Sequence, residues 1–150
     1  MKYKLTDETI VVYGITLYRI ECVDAFYNVK TGQKGGYIQG EANLSQHGNA
    51  WVYDNAEVYG NAEVYGNAEV YGNAKVYGIK DYIVFQNWWS SGRWFTWTRS
   101  NNMWKVGCFF GTGEELIVNA YKDSKKSGRE YERVVNYVKS FLAEDDKERD

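Results

Sequence analysis

GNAEVYGNAEVYGNAKVYG, residues 60–78, repeats six letters with a single change, Lys75 where the earlier units carry glutamate. The same frame extends back to Ala50. Its Ala/Val slots are Ala50/Val52, Ala56/Val58, Ala62/Val64, Ala68/Val70 and Ala74/Val76. Residues two apart in an extended chain share a face, so Ala and Val point one way and the residues between them the other. Gly-Asn follows each unit, and both residues tolerate the dihedrals of a tight corner. A corner every six residues excludes a helix, which needs apolar spacings of three and four. Identical short segments bent the same way coil rather than reverse, so a stack of hairpins is excluded too. The pattern predicts a coil whose flat sides are the A-x-V segments.

Upstream, Ile38 and Leu44 are six apart and Leu44 and Val52 eight apart, which starts the pattern near Gly36 and places a two-residue insertion near Gln46-His47. The steps Val58 to Ala62, Val64 to Ala68 and Val70 to Ala74 put a small residue four positions after an aliphatic one. In this the sequence resembles the hexapeptide-repeat family, the left-handed parallel β-helix. That resemblance implies three hexads per eighteen-residue coil. Glu57 would then lie over Lys75, Tyr53 over Tyr71 and Tyr59 over Tyr77. The outward tyrosines, Tyr53, Tyr59, Tyr65, Tyr71 and Tyr77, suit either a stable sheet face or an interface. Members of the resembled family often form trimers by packing such faces, which implies a homo-oligomer.

The flanks read as caps for the raw ends of such a rod. TIVVYGITLYRIECV, residues 9–23, is two β-rich runs around Tyr13-Gly14, a short hairpin. NVKTGQKGGYI carries turn signals, and its glycines and lysines lack the order of a phosphate loop. After Gly78 the composition shifts. Five of the six tryptophans lie between Trp88 and Trp104. Three β-rich runs are expected there, turning near Ser90-Ser91-Gly92 and near Asn101-Asn102. Two helices follow, with capping boxes at Thr112–Glu115 and Ser127–Glu130. The second carries one apolar stripe, Tyr131, Val134, Val135, Val138, Phe141 and Leu142. The expected fold is therefore mainly β. An N-terminal hairpin cap spans 1–35, a short β-helix 36–79, a Trp-rich β-β-β-α-α module 80–143 and a solvated acidic tail 144–150.

Alternation along the three runs divides the Trp-rich sheet. Phe85, Asn87, Phe95, Trp97, Val106, Cys108 and Phe110 fall on an apolar face suited to the helices. Val84, Gln86, Trp88, Trp94, Thr96, Thr98, Met103 and Lys105 fall on the other, which mixes tryptophan with hydroxyls, an amide and a base. That is the composition of a recognition surface. The candidate binding residues are Trp88, Trp89, Arg93, Trp94, Thr96, Thr98, Arg99 and Lys105. The competing assignment for Trp88 and Trp94 is packing on the end of the repeat.

Chemistry is sparse. The net charge of −2 over 150 residues argues against nucleic acid and anionic membranes as partners. No apolar run approaches the ~18 residues of a membrane span, and the N-terminus lacks the apolar core of a signal peptide. Cys22 and Cys108 follow no metal or redox spacing and read as buried thiols of a reducing compartment, with a disulfide between them the lesser alternative. No cofactor or metal site is expected. Enzymes with this repeat transfer acyl groups from thioesters, and His47, the one histidine, is the candidate general base for that reading. The whole chain also resembles proteins encoded by bacteriophages and prophages of gut bacteria. This implies a non-enzymatic binder in the cytoplasm of a bacterial host, acting on a host protein or a small signal molecule, for instance as an inhibitor. A structural phage component is the third reading. Near-identical repeats suit a frame more than a catalytic groove, so function is expected in the irregular ends.

Overall fold

The computed structural model describes residues 1–148, and its content is mixed rather than mainly β. Eleven strands form sheets of five, two and four strands, and two helices close the chain. β1 (Tyr3–Val12) and β2 (Ile15–Cys22) form the expected hairpin, turning through Tyr13 and Gly14 at φ 49° and 80°. β3 (Lys34–Ile38) pairs antiparallel with β2. Four two-residue strands follow: β4 (Trp51–Val52), β5 (Glu57–Val58), β6 (Glu69–Val70) and β7 (Lys75–Val76).

These short strands pair in parallel, Glu57 with Lys75, Val58 with Val76, Trp51 with Glu69 and Val52 with Val70. The separation is eighteen residues in each pair. Earlier pairs, Tyr37 with Glu57 and Leu44 with Val64, are twenty apart. Two extra residues therefore enter between Leu44 and Trp51, around Gln46-His47. Tyr59 stacks on Tyr77 with ring centroids 5.7 Å apart, and Tyr53 lies 4.3 Å from Tyr71.

The expected fold class is nevertheless corrected. Residues 36–79 do not form a left-handed β-helix standing as a frame of its own. Their strands are divided between two sheets, and one set extends the N-terminal hairpin in the order β1-β2-β3-β5-β7, while β4 and β6 form the two-stranded sheet. The physical reason lies in β3. Gly35 and Gly36 leave no Cβ between it and the backbone of Val52 and Ala56, so the hairpin docks edge-on and prolongs the sheet. One core runs through both parts: Tyr3, Ile20 and Cys22 from the N-terminal strands join Ala50, Val52, Ala56, Val58, Val64 and Val70. Trp51, read as outward-facing, is fully buried there, edge-on to the rings of Tyr3 and Phe26.

The C-terminal part has four strands, not three. β8 (Tyr82–Gln86), β9 (Trp94–Thr98), β10 (Met103–Val106) and β11 (Phe109–Gly111) form an antiparallel sheet in the order β11-β10-β9-β8. The added hairpin turns at Gly107, whose φ is 57°. That turn moves Cys108 into an exposed loop and Phe110 onto the opposite face from the one expected. Phe85, Phe95, Trp97, Trp104 and Val106 face α1 (Gly113–Asp123) and α2 (Lys125–Glu148). The Thr112–Glu115 capping box is formed. The second helix starts earlier than expected, where Ser124 Oγ accepts the Ser127 N–H at 3.0 Å. Ser127 and Glu130 lie within it, and Glu130 is buried and paired with Arg133 at 2.9 Å. The helix runs on into the segment read as an acidic tail, where Asp145 pairs with Arg99 at 3.1 Å, and residues 149–150 lie outside the described residues.

Candidate binding cleft

The sheet face read as a recognition surface docks on the end of the repeat. Thr96 is buried, and its Oγ1 accepts the Glu69 N–H at 3.0 Å. Thr98 is buried and donates to Asn101 Oδ1. Lys105 is buried with its Nζ over the Tyr71 ring and bonded to the Gly107 carbonyl. Phe110 meets the other side of the junction, 5.3 Å from the Tyr71 ring. Arg99 is half-buried, donating to the Lys80 carbonyl and to Asp145. Of these four candidates, Thr96 and Lys105 join the two halves of the molecule and Thr98 and Arg99 are tied within the C-terminal part, so none of them is free surface.

The other four diverge. Trp89 packs edge-on against Tyr131 and donates its indole N–H to Ser127 Oγ at 3.1 Å. Trp88 stands 69% exposed in the β8–β9 loop, with Lys126 Nζ over its ring. Arg93 is exposed in the same loop, and Trp94 is 42% exposed at the start of β9. The tyrosine face is divided in the same way. Tyr53 and Tyr59 are buried and Tyr71 is covered by Phe110 and Lys105, whereas Tyr65 and Tyr77 are 64% and 56% exposed.

Tyr65 and Trp94 line the same hollow. Between the Glu63–Tyr65 side of the repeat and strand β8 lies a cleft of about 650 Å³. Asn61, Glu63, Tyr65 and Asn67 line it from the repeat, and Ile79, Tyr82, Val84 and Trp94 from the other half. The Tyr82 hydroxyl donates to the Glu63 carbonyl at 2.6 Å and braces its walls. Asn67 and Trp94 also line a neighbouring hollow of about 290 Å³ that reaches Glu69 and Arg93. Burial pushes the Glu69 carboxyl above the usual carboxylate range, against the opposing pull of Lys105, Tyr53 and Arg93. A third, polar hollow of about 590 Å³ begins on the far side of Glu69, at Tyr53, Tyr71 and Lys105. There Arg19 is saturated, donating to Glu8, Gly35, Tyr37 and Asn55.

Sequence reasoning placed Trp94 and Tyr65 in different sites. It missed Ile79, Tyr82 and Val84 as walls of one cleft, because only the docking of the sheet on the repeat brings them together. His47 is exposed in the insertion, its N–H bonded to Ser45 Oγ at 3.0 Å. Its carbonyl, with those of Gly48 and Ala50, surrounds the buried Lys2 amine, whose pKa burial lowers to about 8. Among the described residues no cluster of His, Cys, Asp and Glu is arranged to hold a metal, and no helix is long and apolar enough to cross a membrane. Neither a scan against protein-family models nor a search of the curated proteins finds a match for this chain.

Proposed function

We propose that this chain is a non-enzymatic binding protein whose partner occupies the cleft between the Glu63–Tyr65 side of the repeat and the Trp-rich sheet. The carrying observation is the pair of exposed aromatic rings, Tyr65 and Trp94, on the walls of one concave site of about 650 Å³. Large aromatics left wet inside a hollow, with a few amides and one carboxylate at the rim, are the anatomy of a recognition site. The volume lies within the ~300–1,000 Å³ range of ligand pockets and also suits a short segment of a protein. A host protein or a small signal molecule in the cytoplasm of a bacterium is the partner class proposed, and the unpaired thiols of Cys22 and Cys108 agree with a reducing compartment.

The test is affinity capture from bacterial lysate, with protein and small-molecule mass spectrometry of what is retained. The parent protein and the Tyr65→Ala/Trp94→Ala double variant serve as baits. A species held by the parent and lost by the variant is the expected result. The same species held by both would place the site elsewhere.

A further inference from the structure

The cleft wall on the repeat side is a strand edge. Val64 donates its N–H to the Asn43 carbonyl at 2.9 Å, and the Val64 carbonyl accepts the Ser45 N–H at 2.9 Å. Backbone groups of successive residues in an extended segment point to opposite sides. The N–H groups of Glu63 and Tyr65 therefore point away from Asn43 and into the cleft. The Glu63 carbonyl confirms the direction, since it meets the Tyr82 hydroxyl there. Among the described residues no strand pairs with this side of the segment. The repeat's two other last edges carry side-chain caps. Thr96 accepts from Glu69, Ser100 Oγ accepts the Lys75 N–H at 2.7 Å, and Asp81 Oδ2 accepts the Tyr77 N–H at 3.0 Å.

We infer that the cleft takes an extended peptide segment of a partner protein, which displaces the Tyr82 hydroxyl from the Glu63 carbonyl and adds as a strand along Glu63–Tyr65. This rests on the binding reading above and narrows it from two partner classes to one. Two N–H donors two residues apart are separated by ~6.7 Å along a strand. That spacing matches the carbonyls of alternate residues in an extended chain, and it is too wide for one carboxylate or one ring substituent. Main-chain bonds of this kind supply affinity, while pockets for alternate side chains supply specificity. Ile79, Val84 and Trp94 offer the apolar surface for those side chains. Glu63 is exposed at the rim, and neither lysine nor arginine is among the described residues lining the cleft. The segment is thus an apolar, alternating one with a basic residue beside Glu63.

A display library of random dodecapeptides, selected on the parent protein, supplies the probe. The best binder is then titrated against Tyr65→Ala, Tyr65→Pro and Trp94→Ala. Proline removes the Tyr65 N–H at an edge position where strands tolerate it, whereas alanine keeps that donor. Tyr65→Pro should weaken binding at least tenfold more than Tyr65→Ala. In the parent complex, amide exchange at Glu63 and Tyr65 should slow on binding. If no peptide is enriched, strand addition is wrong. If the binder needs Trp94 but Tyr65→Pro equals Tyr65→Ala, strand addition is wrong and the cleft reading stands. If Trp94→Ala and Tyr65→Ala both bind like the parent, the cleft reading itself falls. Should Tyr65→Pro lose its circular dichroism, amide protection in the parent complex decides, and unprotected amides at Glu63 and Tyr65 overturn strand addition.

Discussion

The Glu69 N–H and the Thr96 hydroxyl, twenty-seven residues apart, share one hydrogen bond of 3.0 Å. Through it a side chain of the Trp-rich sheet completes the last edge of the two-stranded sheet. Thr96 is 1% exposed, so water cannot replace it. An edge left open here would present unpaired backbone to other chains. The hydroxyl of one residue therefore both satisfies the edge and fixes where the two halves meet.

Thr96→Val keeps the shape and removes the acceptor. A buried donor without a partner costs about 1–3 kcal/mol. Urea unfolding should show a loss of that size for Thr96→Val and a much smaller one for Thr96→Ser. Equal losses would mean that the methyl group, not the hydroxyl, holds the junction.

Trp51 gives a second test. Its ring is fully buried against Tyr3 and Phe26, yet its Nε1 has no hydrogen-bond partner among the described residues. Trp51→Phe removes the orphaned donor and keeps most of the packing, so it should cost less than about 1 kcal/mol. Trp51→Ala opens a cavity and should cost about 3–5 kcal/mol. A large penalty for phenylalanine would show that the indole N–H is bonded after all.

The same tryptophan shows where the sequence stops informing. Alternation puts Trp51 on the outer side of its unit, and within the unit it is outside. What buries it is Tyr3 and Phe26, brought in from the N-terminal segment, and no local pattern announces that contact. The vertical neighbours were readable once the resemblance implied eighteen residues per coil. Glu57 over Lys75 and Tyr59 over Tyr77 follow from that period, and the extra residues near Gln46-His47 from spacing. The sheet faces were half readable. Phe85, Phe95 and Trp97 were assigned to the helices correctly, but the turn at Gly107 carries no Asn-Gly cue and hid strand β11. Without that strand, alternation puts Phe110 under the helices, whereas it covers Tyr71. The cleft itself was invisible, since Tyr65 and Trp94 meet only after two separate elements dock.

Gly36 tests the close approach that joins the hairpin to the repeat. A Cβ at this position would meet the Ala56 carbonyl oxygen and lie 2.8 Å from Val52 Cγ1. Backbone on one side and a buried valine on the other cannot both give way in a close-packed interior. Gly36→Ala should lower stability by about 2 kcal/mol or more, in the range of core overpacking. Gly40→Ala, where the added atom meets open space, should be nearly silent. Thermal unfolding of the two variants side by side makes the comparison. A silent Gly36→Ala would show that β3 can shift away from the repeat.

Tyr82 ties the cleft to alkaline stability. Burial, reinforced by Tyr65 and Glu63, raises its hydroxyl from 10.0 to about 12. A raised folded value means that the unfolded chain loses the proton first as pH climbs. The stabilisation from Tyr82 is then complete below pH 10 and falls away as pH rises towards 12. Tyr3 and Tyr53 are also pushed up by burial, but they titrate in parent and variant alike. The difference between the parent and Tyr82→Phe therefore isolates one group. At pH 8 the parent should be more stable by about 0.5–1.5 kcal/mol, the worth of the bond to the Glu63 carbonyl. That margin should shrink between pH 10 and 12 and change sign above it, where the buried phenolate makes the parent the less stable of the two. Guanidinium unfolding at several alkaline pH values follows it directly, and a margin that stays constant would mean Tyr82 is open to solvent and does not brace the cleft.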